Sequence, residues 1–259
     1  MRQRYWRRMA WLALLVVTVG GAVAGYRLGQ PALDGLDVVT QTKRFAPDGC
    51  RQSCPTVRVE TLHFAAAPHL QAQLRQRLLA TAGRSSSDGA GPPPDYARYA
   101  NRLFAADAAA RRADPTAPPY HAVLRARLVD THDGLAVVEL DTDVYLGGAH
   151  DIAGRAFLVI DTRTRAVLTL ADLLRPGRRA AFEQRLHTRY RQWRDEKGMA
   201  PDTGQFTPDG TVALLAGDVA VAYPAGEIAP VRFGAPVLHI DYDRLRDILK
   251  PRFLPDADE

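Results

Sequence analysis

The stretch Leu135 to Leu174, LAVVELDTDVYLGGAHDIAGRAFLVIDTRTRAVLTLADLL, restricts the fold of this chain more than any other. Its even-numbered positions Ala136, Val138, Leu140, Val144 and Leu146 are apolar, with Thr142 the polar exception, and its odd positions carry Glu139, Asp141, Asp143 and Tyr145. Alternate residues of a pleated strand point to opposite faces, so this pattern predicts a strand with one core face and one acidic, wet face. Gly147-Gly148 ends that strand, where the backbone needs torsions a side chain would forbid. A second strand, Gly154 to Ile160, is expected to turn at Asp161 to Arg165 and return as Ala166 to Leu170. A helical turn follows to Leu174, stopped by Pro176 and Gly177.

Upstream, Ala122, Leu124, Ala126 and Leu128 alternate with Arg125 and Arg127, which predicts a strand over His121 to Val129. The turn signal Asp130-Thr131-His132-Asp133-Gly134 joins it to the acidic strand as a hairpin. A turn centred near His132 would set Arg125 opposite Glu139, an opposite-charge cross-strand pair. Thr56 to Phe64 also alternates and reads as a strand. Pro68 opens a helix to about Ala82 with Leu70, Leu74 and Leu78 on one stripe. Arg84 to Pro94 (RSSSDGAGPPP) is an exposed loop, and Asp95 caps a helix that places Tyr96, Tyr99, Leu103 and Phe104 on one face.

Arg178 to Lys197 is the longest expected helix, with Phe182, Leu186, Tyr190 and Trp193 facing the sheet and arginines behind. Strands follow at Val212 to Leu215, Val219 to Tyr223 and Val237 to Tyr242. A Pro- and Gly-rich loop, Pro224 to Gly234, lies between the last two, and a helix over Asp243 to Leu249 closes the chain. Hairpins dominate and helices do not alternate strictly with strands. The expected fold class is therefore α+β, a mainly antiparallel mixed sheet packed by helices and preceded by one N-terminal transmembrane or signal segment.

Tyr145, the run Gly147-Gly148-Ala149-His150, the second strand, the Thr-rich turn and Leu168-Thr169-Leu170-Ala171-Asp172-Leu173-Leu174 together resemble the extracellular domain of RsiV-type anti-sigma factors. Similar domains precede the catalytic domain of PdaC-type peptidoglycan deacetylases. The likeness continues through Glu227-Ile228-Ala229-Pro230 and Ile240-Asp241-Tyr242-Asp243-Arg244-Leu245; it is close over the C-terminal half and loose from Pro55 to Tyr120. The resemblance implies a binding module, with lysozyme as the ligand in the anti-sigma factors. Only Met1 to Arg8 precede the apolar segment, so signalling through a cytoplasmic sigma-factor grip is not expected, and deacetylase activity is not carried over.

Met9 to Tyr26 is uncharged and mostly apolar. Arg2, Arg4, Arg7 and Arg8 before it place the rest of the chain outside the cytoplasm. Residues 1–26 read equally as an uncleaved signal anchor or as a signal peptide cleaved after Ala22-Val23-Ala24. The protein is accordingly inner-membrane-anchored with its domain outside the cytoplasm, or periplasmic after cleavage. Those four arginines also supply most of the formal charge of +5, so no nucleic-acid partner is expected. Residues 27–49 read as a tether and 50–253 as the extracytoplasmic domain, weaker in pattern over 50–120 and stronger over 121–253. In an oxidising compartment Cys50 and Cys54 are expected to close a small disulfide loop.

No catalytic motif is present. The four serines, Ser53 and Ser85 to Ser87, sit in no nucleophile elbow, no lysine lies in a phosphate loop, and no His-Glu-x-x-His occurs. No cofactor and no metal are expected. The candidate ligand-binding residues are Tyr145, Gly147, Gly148, His150, Asp151 and Glu227, carried by the loops Gly147 to Ile152 and Pro224 to Gly234. The expected function is non-enzymatic binding in the cell envelope, of lysozyme, another envelope protein or a glycan, with the acidic strand face steering a cationic partner. The alternatives are a peptidoglycan hydrolase, in which Asp141, Asp143, His150 and Glu227 would converge in a cleft, and a structural partner of a membrane complex.

Overall fold

The computed structural model describes residues 36–83, 93–200 and 206–255, within one compact unit spanning Ala32–Glu259. The expected anchor or signal over residues 1–26 and the serine loop lie outside the described residues. No helix among those described is long and apolar enough to cross a membrane. The elements in order are β1 (Val38–Phe45), β2 (Thr56–Phe64), α1 (Pro68–Gly83), α2 (Tyr96–Ala113), β3 (His121–His132), β4 (Leu135–Tyr145), β5 (Ile152–Asp161) and β6 (Ala166–Leu168). They continue as α3 (Leu170–Leu173), α4 (Arg179–Glu196), β7 (Thr211–Leu214), β8 (Asp218–Ala222) and β9 (Val237–Asp241).

The fold is α+β. Six strands form one sheet in the order β1-β2-β3-β4-β5-β6, antiparallel except for the β2–β3 pair, and three form a second antiparallel sheet, β7-β8-β9. The parallel pair follows from its connection, because α1 and α2 carry the chain back to the start of the sheet. Leu70, Leu74, Leu78 and Leu79 of α1 are fully buried in one cluster with Val138, Leu140 and Val144, so the apolar stripe and the apolar strand face meet as their periods require. Each such leucine contributes about 1.5–3 kcal/mol of burial. Asp95 caps α2, accepting the Arg98 N–H at 2.7 Å. Phe182, Leu186, Tyr190 and Trp193 of α4 are buried with Val219, Val221, Leu238 and Ile240 of the small sheet. The opposite face of that sheet, Ala213, Ala220 and Ala222, packs on Val137 and Phe157 of the large one.

β5 is an outer strand over its first half, since β6 pairs only with Val159 to Asp161. That free edge is sealed from the small-sheet side. The Phe157 N–H donates to Thr211 Oγ1 at 2.8 Å, and the Ala153 carbonyl accepts the Ala225 N–H at 3.2 Å. An exposed ladder edge would otherwise offer its donors and acceptors to another chain.

Four expectations are corrected. Residues 27–49 are not all tether: Val38–Phe45 is an edge strand, in register from Val38↔Phe64 to Phe45↔Val57. Only Val38, Gln41 and Phe45 of it are even partly covered, so no alternation betrays it. In the β3–β4 hairpin Arg125 lies opposite Asp141, and Arg127 opposite Glu139. The turn is the two-residue Asp133-Gly134, both at positive φ (46° and 73°), and a bulge between Leu128 and Asp130 shifts the register back by one residue. The strands after α4 form their own sheet rather than extending the first. The closing helix over Asp243 to Leu249 is only a 3₁₀ turn, Tyr242–Leu245.

Candidate functional site: an aromatic ledge heading an ion-paired sheet face

The wet face of the large sheet carries a lattice of charges. Arg125 Nη1 lies 3.3 Å from Asp141 and 3.1 Å from Asp143, and its Nε lies 3.9 Å from Glu60. Arg127 reaches Glu139 at 2.9 Å, Arg155 reaches Glu139 and Asp141 at 3.3 Å each, and Arg58 reaches Glu60 at 2.6 Å. Burial works against the charged form of Arg125, but the Asp143 hydrogen bond and the charges of Asp141, Asp143 and Glu60 outweigh it and raise its pKa. Four guanidiniums thus answer four carboxylates. The expected acidic face is electrically balanced, and long-range steering of a cationic partner by it is not supported.

Beyond this lattice, the same face ends in aromatic rings. Tyr145, last in β4, stacks on His121 with ring centroids 5.2 Å apart and meets Tyr120 edge-on at 6.4 Å. Register explains the pairing, since His121 lies directly opposite Tyr145. Gly147 follows at φ 82°, and a Cβ there would lie 3.1 Å from Tyr120 Cε1, so glycine is what lets the chain fold back against that ring. Asp151 Oδ2 lies 3.5 Å from His121 Nε2. Tyr145, Gly147 and Asp151 are therefore brought together, joined by Tyr120 and His121. Sequence reasoning left those two aside because proximity across strands depends on register. Gly148 and His150 lie exposed in the turn, and His150 makes no hydrogen bond or ion pair among the described residues.

Glu227 lies elsewhere. It is exposed in the loop after β8, where its charge adds to burial in raising the Tyr223 pKa. The loop itself is firmly held: Tyr190 Oη donates to the Ile228 carbonyl at 2.9 Å, and the Ala225–Ala153 bond ties it to β5. Asp141 and Asp143 are committed to arginines. The clefts beside α4 and β9, beside α3, and between α1 and β5 are lined by none of Asp141, Asp143, His150 or Glu227. No cluster of three or more His, Cys, Asp or Glu side chains fit to hold a metal occurs among the described residues.

The ledge is braced from behind. Asp107 of α2 is 4% exposed and accepts the Tyr120 N–H at 2.8 Å. Its other oxygen lies 3.2 Å from Arg111 Nε, and Arg111 Nη2 donates to the Ser53 carbonyl at 2.6 Å. Ser53 belongs to the loop closed by the Cys50–Cys54 disulfide, as expected from sequence, with Cα atoms 5.9 Å apart. Disulfide loop, helix and ledge are thereby linked through one carboxylate.

Fold and site together define an α+β module with an aromatic ledge at one end of its large sheet, and no catalytic constellation gathers among the described residues. The chain belongs to the DUF3298 family. A solved DUF3298 family protein from Pseudomonas aeruginosa is 30% identical, with a TM-score of 0.68 over 87% of this chain and 99% of that one. A member from Bacteroides fragilis, 16% identical, shares the fold with a TM-score of 0.60 over 84% of this chain and 94% of its own. No family model and no curated protein matches. Neither neighbour's description names an activity.

Proposed function

We propose that this chain is a non-enzymatic, RsiV-like binding module of the cell envelope, held outside the cytoplasm by residues 1–26 or released after their cleavage. The observation that carries the reading is the Tyr120–His121–Tyr145 ledge with Asp151 beside it. Stacked aromatic rings with a carboxylate at their rim offer large, rigid contact area at low entropic cost, the composition of binding hot spots. The ligand is lysozyme or a peptidoglycan-related glycan. Because the neighbouring lattice is balanced, recognition works by surface complementarity rather than by field. The disulfide supports an oxidising compartment.

The test is calorimetric titration of the full chain with hen lysozyme at low and moderate salt. Saturable binding in the micromolar range or tighter is expected, with little salt dependence and a loss of about 30-fold on Tyr145→Ala, the scale of a hot-spot truncation. No heat at either salt removes lysozyme, and peptidoglycan fragments then take its place in the same titration. Binding that ignores both Tyr145→Ala and His121→Ala would sink the ledge as the site.

A further inference from the structure

A cavity of about 310 Å³ opens between α4 and the outer edge of β9, beside Arg185, Arg189, Gln192, Glu196 and Arg244. It holds roughly ten waters' share of liquid volume. It also borders backbone left without a ladder partner. The Pro236 carbonyl accepts the Tyr223 N–H at 2.9 Å and so faces β8. Residues alternate along a strand, so Leu238 and Ile240 also bond toward β8, while Val237, His239 and Asp241 direct their N–H and C=O groups outward. β9 is the last strand of its sheet. Asp241 caps the 3₁₀ turn Tyr242–Leu245, which takes its carbonyl, and of the remaining outward groups only one is met among the described residues. Arg189 Nε donates to the His239 carbonyl at 3.0 Å while its Nη atoms hold Glu196 at 3.0 and 3.2 Å.

We propose that this edge accepts an extended, acidic polypeptide segment as a fourth strand, with a carboxylate side chain of the segment taken by Arg185 and Gln192. Donors and acceptors repeating every second residue, about 6.6 Å apart, match another extended backbone and no compact ion. The acidic character follows from the lining, where three guanidiniums face only Glu196 and Asp241. Arg185 and Gln192 have no hydrogen bond or ion pair among the described residues, whereas Arg189 is spent on Glu196. On binding, a peptide N–H replaces Arg189 at the His239 carbonyl and leaves the Arg189–Glu196 pair intact. This surface is distinct from the ledge and does not depend on the proposed ligand there.

The probe is an end-blocked synthetic heptapeptide of alternating Thr and Glu, set against its Thr/Gln counterpart, titrated into the full chain by fluorescence polarisation with amide exchange read in parallel. Saturable binding is expected, with slowed exchange at Val237, His239 and Asp241. The Gln peptide and the Arg185→Glu variant should each bind at least about tenfold more weakly, the scale of a lost charged hydrogen bond. Arg185 is exposed, so this variant should leave thermal unfolding unchanged. His239→Pro removes an outward N–H and no ladder bond, and should abolish binding. Protection appearing on the ledge or on β1 instead, or Arg185→Glu binding as the parent does, would overturn the proposal. So would an unbound peptide with self-association of Arg189→Ala, which would assign Arg189 to edge protection alone.

Discussion

Replacing Asp107 by alanine should be among the costliest polar substitutions in the chain. The carboxylate is 4% exposed and serves two partners, the Tyr120 N–H at 2.8 Å and Arg111 Nε at 3.2 Å. Alanine leaves the amide without an acceptor, at about 1–2 kcal/mol because Tyr120 is only half-buried. It also strands Arg111. Removing one member of a fully buried pair costs about 3–5 kcal/mol, but the Arg111 side chain is 28% exposed and water recovers part of that, leaving about 2 kcal/mol. The total is about 3–4 kcal/mol, a large share of the ~5–15 kcal/mol that holds an ordinary domain. Asparagine keeps an oxygen for Tyr120 and loses only the charge, so Asp107→Asn should cost about half as much. Urea unfolding of both variants, followed through the fluorescence of buried Trp193 in α4, gives the two values directly. An alanine variant within about 1 kcal/mol of the parent, or an asparagine variant as damaged as the alanine one, would refute the account of Asp107 as the brace of the ledge.

Gly154 sits where the end of α1 crosses β5, and a Cβ there would meet Thr142 Oγ1 and come within 3.0 Å of the Thr81 carbonyl. Gly154→Ala should therefore cost about 1–3 kcal/mol in the same urea assay, with partial recovery when Thr142→Ala is added. High pH should unfold the protein through its buried tyrosines. Burial raises the pKa of Tyr96, Tyr99, Tyr223 and Tyr242, against the Thr61 hydroxyl and Arg75 at Tyr96 and with the help of nearby carboxylates at Tyr223 and Tyr242. A phenol raised above its unfolded value contributes stability in full below about pH 10 and loses it as pH climbs toward the folded value, at up to ~1.4 kcal/mol per pH unit for each ring. Urea midpoints flat to about pH 9 and falling steeply above about pH 10, together with tyrosinate absorbance that appears only on unfolding, are the expected result. Early tyrosinate absorbance from the folded protein would contradict it.

How much could be read in advance depended on what covers each element. β4 announced itself from Glu139 to Tyr145, where α1 buries one face and the other is wet, so composition alternates with the pleat; Leu135 and Val137 break the alternation because the small-sheet side covers them. α4 did so because a single stripe of Phe182, Leu186, Tyr190 and Trp193 meets one sheet. β1 did not, because so little covers it that selection for alternation is absent. The opposite charges of Arg125 and the acidic strand were legible as partners, but their register was not. It hangs on one bulge and on a two-residue turn that shares its loop with other turn-forming residues. The ledge was half legible. Tyr145, Gly147 and Asp151 are neighbours in sequence, whereas Tyr120 and His121 arrive from the partner strand only once that register is known. Glu227 shared their family resemblance and not their place, since its loop is tied down on the small-sheet side.

The seal on the free half of β5 bears on how the chain comes to be folded at all. A nascent chain that has reached Leu168 already owns all six strands of the large sheet, yet Val137 and Phe157 are still bare and the Phe157 N–H and Ala153 carbonyl have no counterpart. Thr211 to Ala225 must emerge before those groups are covered, a matter of seconds at roughly 5–20 residues per second. During that interval the half-made protein carries an adhesive border that the finished one lacks. A chain cut short between β6 and β7 should for the same reason be a seed for aggregation rather than a smaller working module.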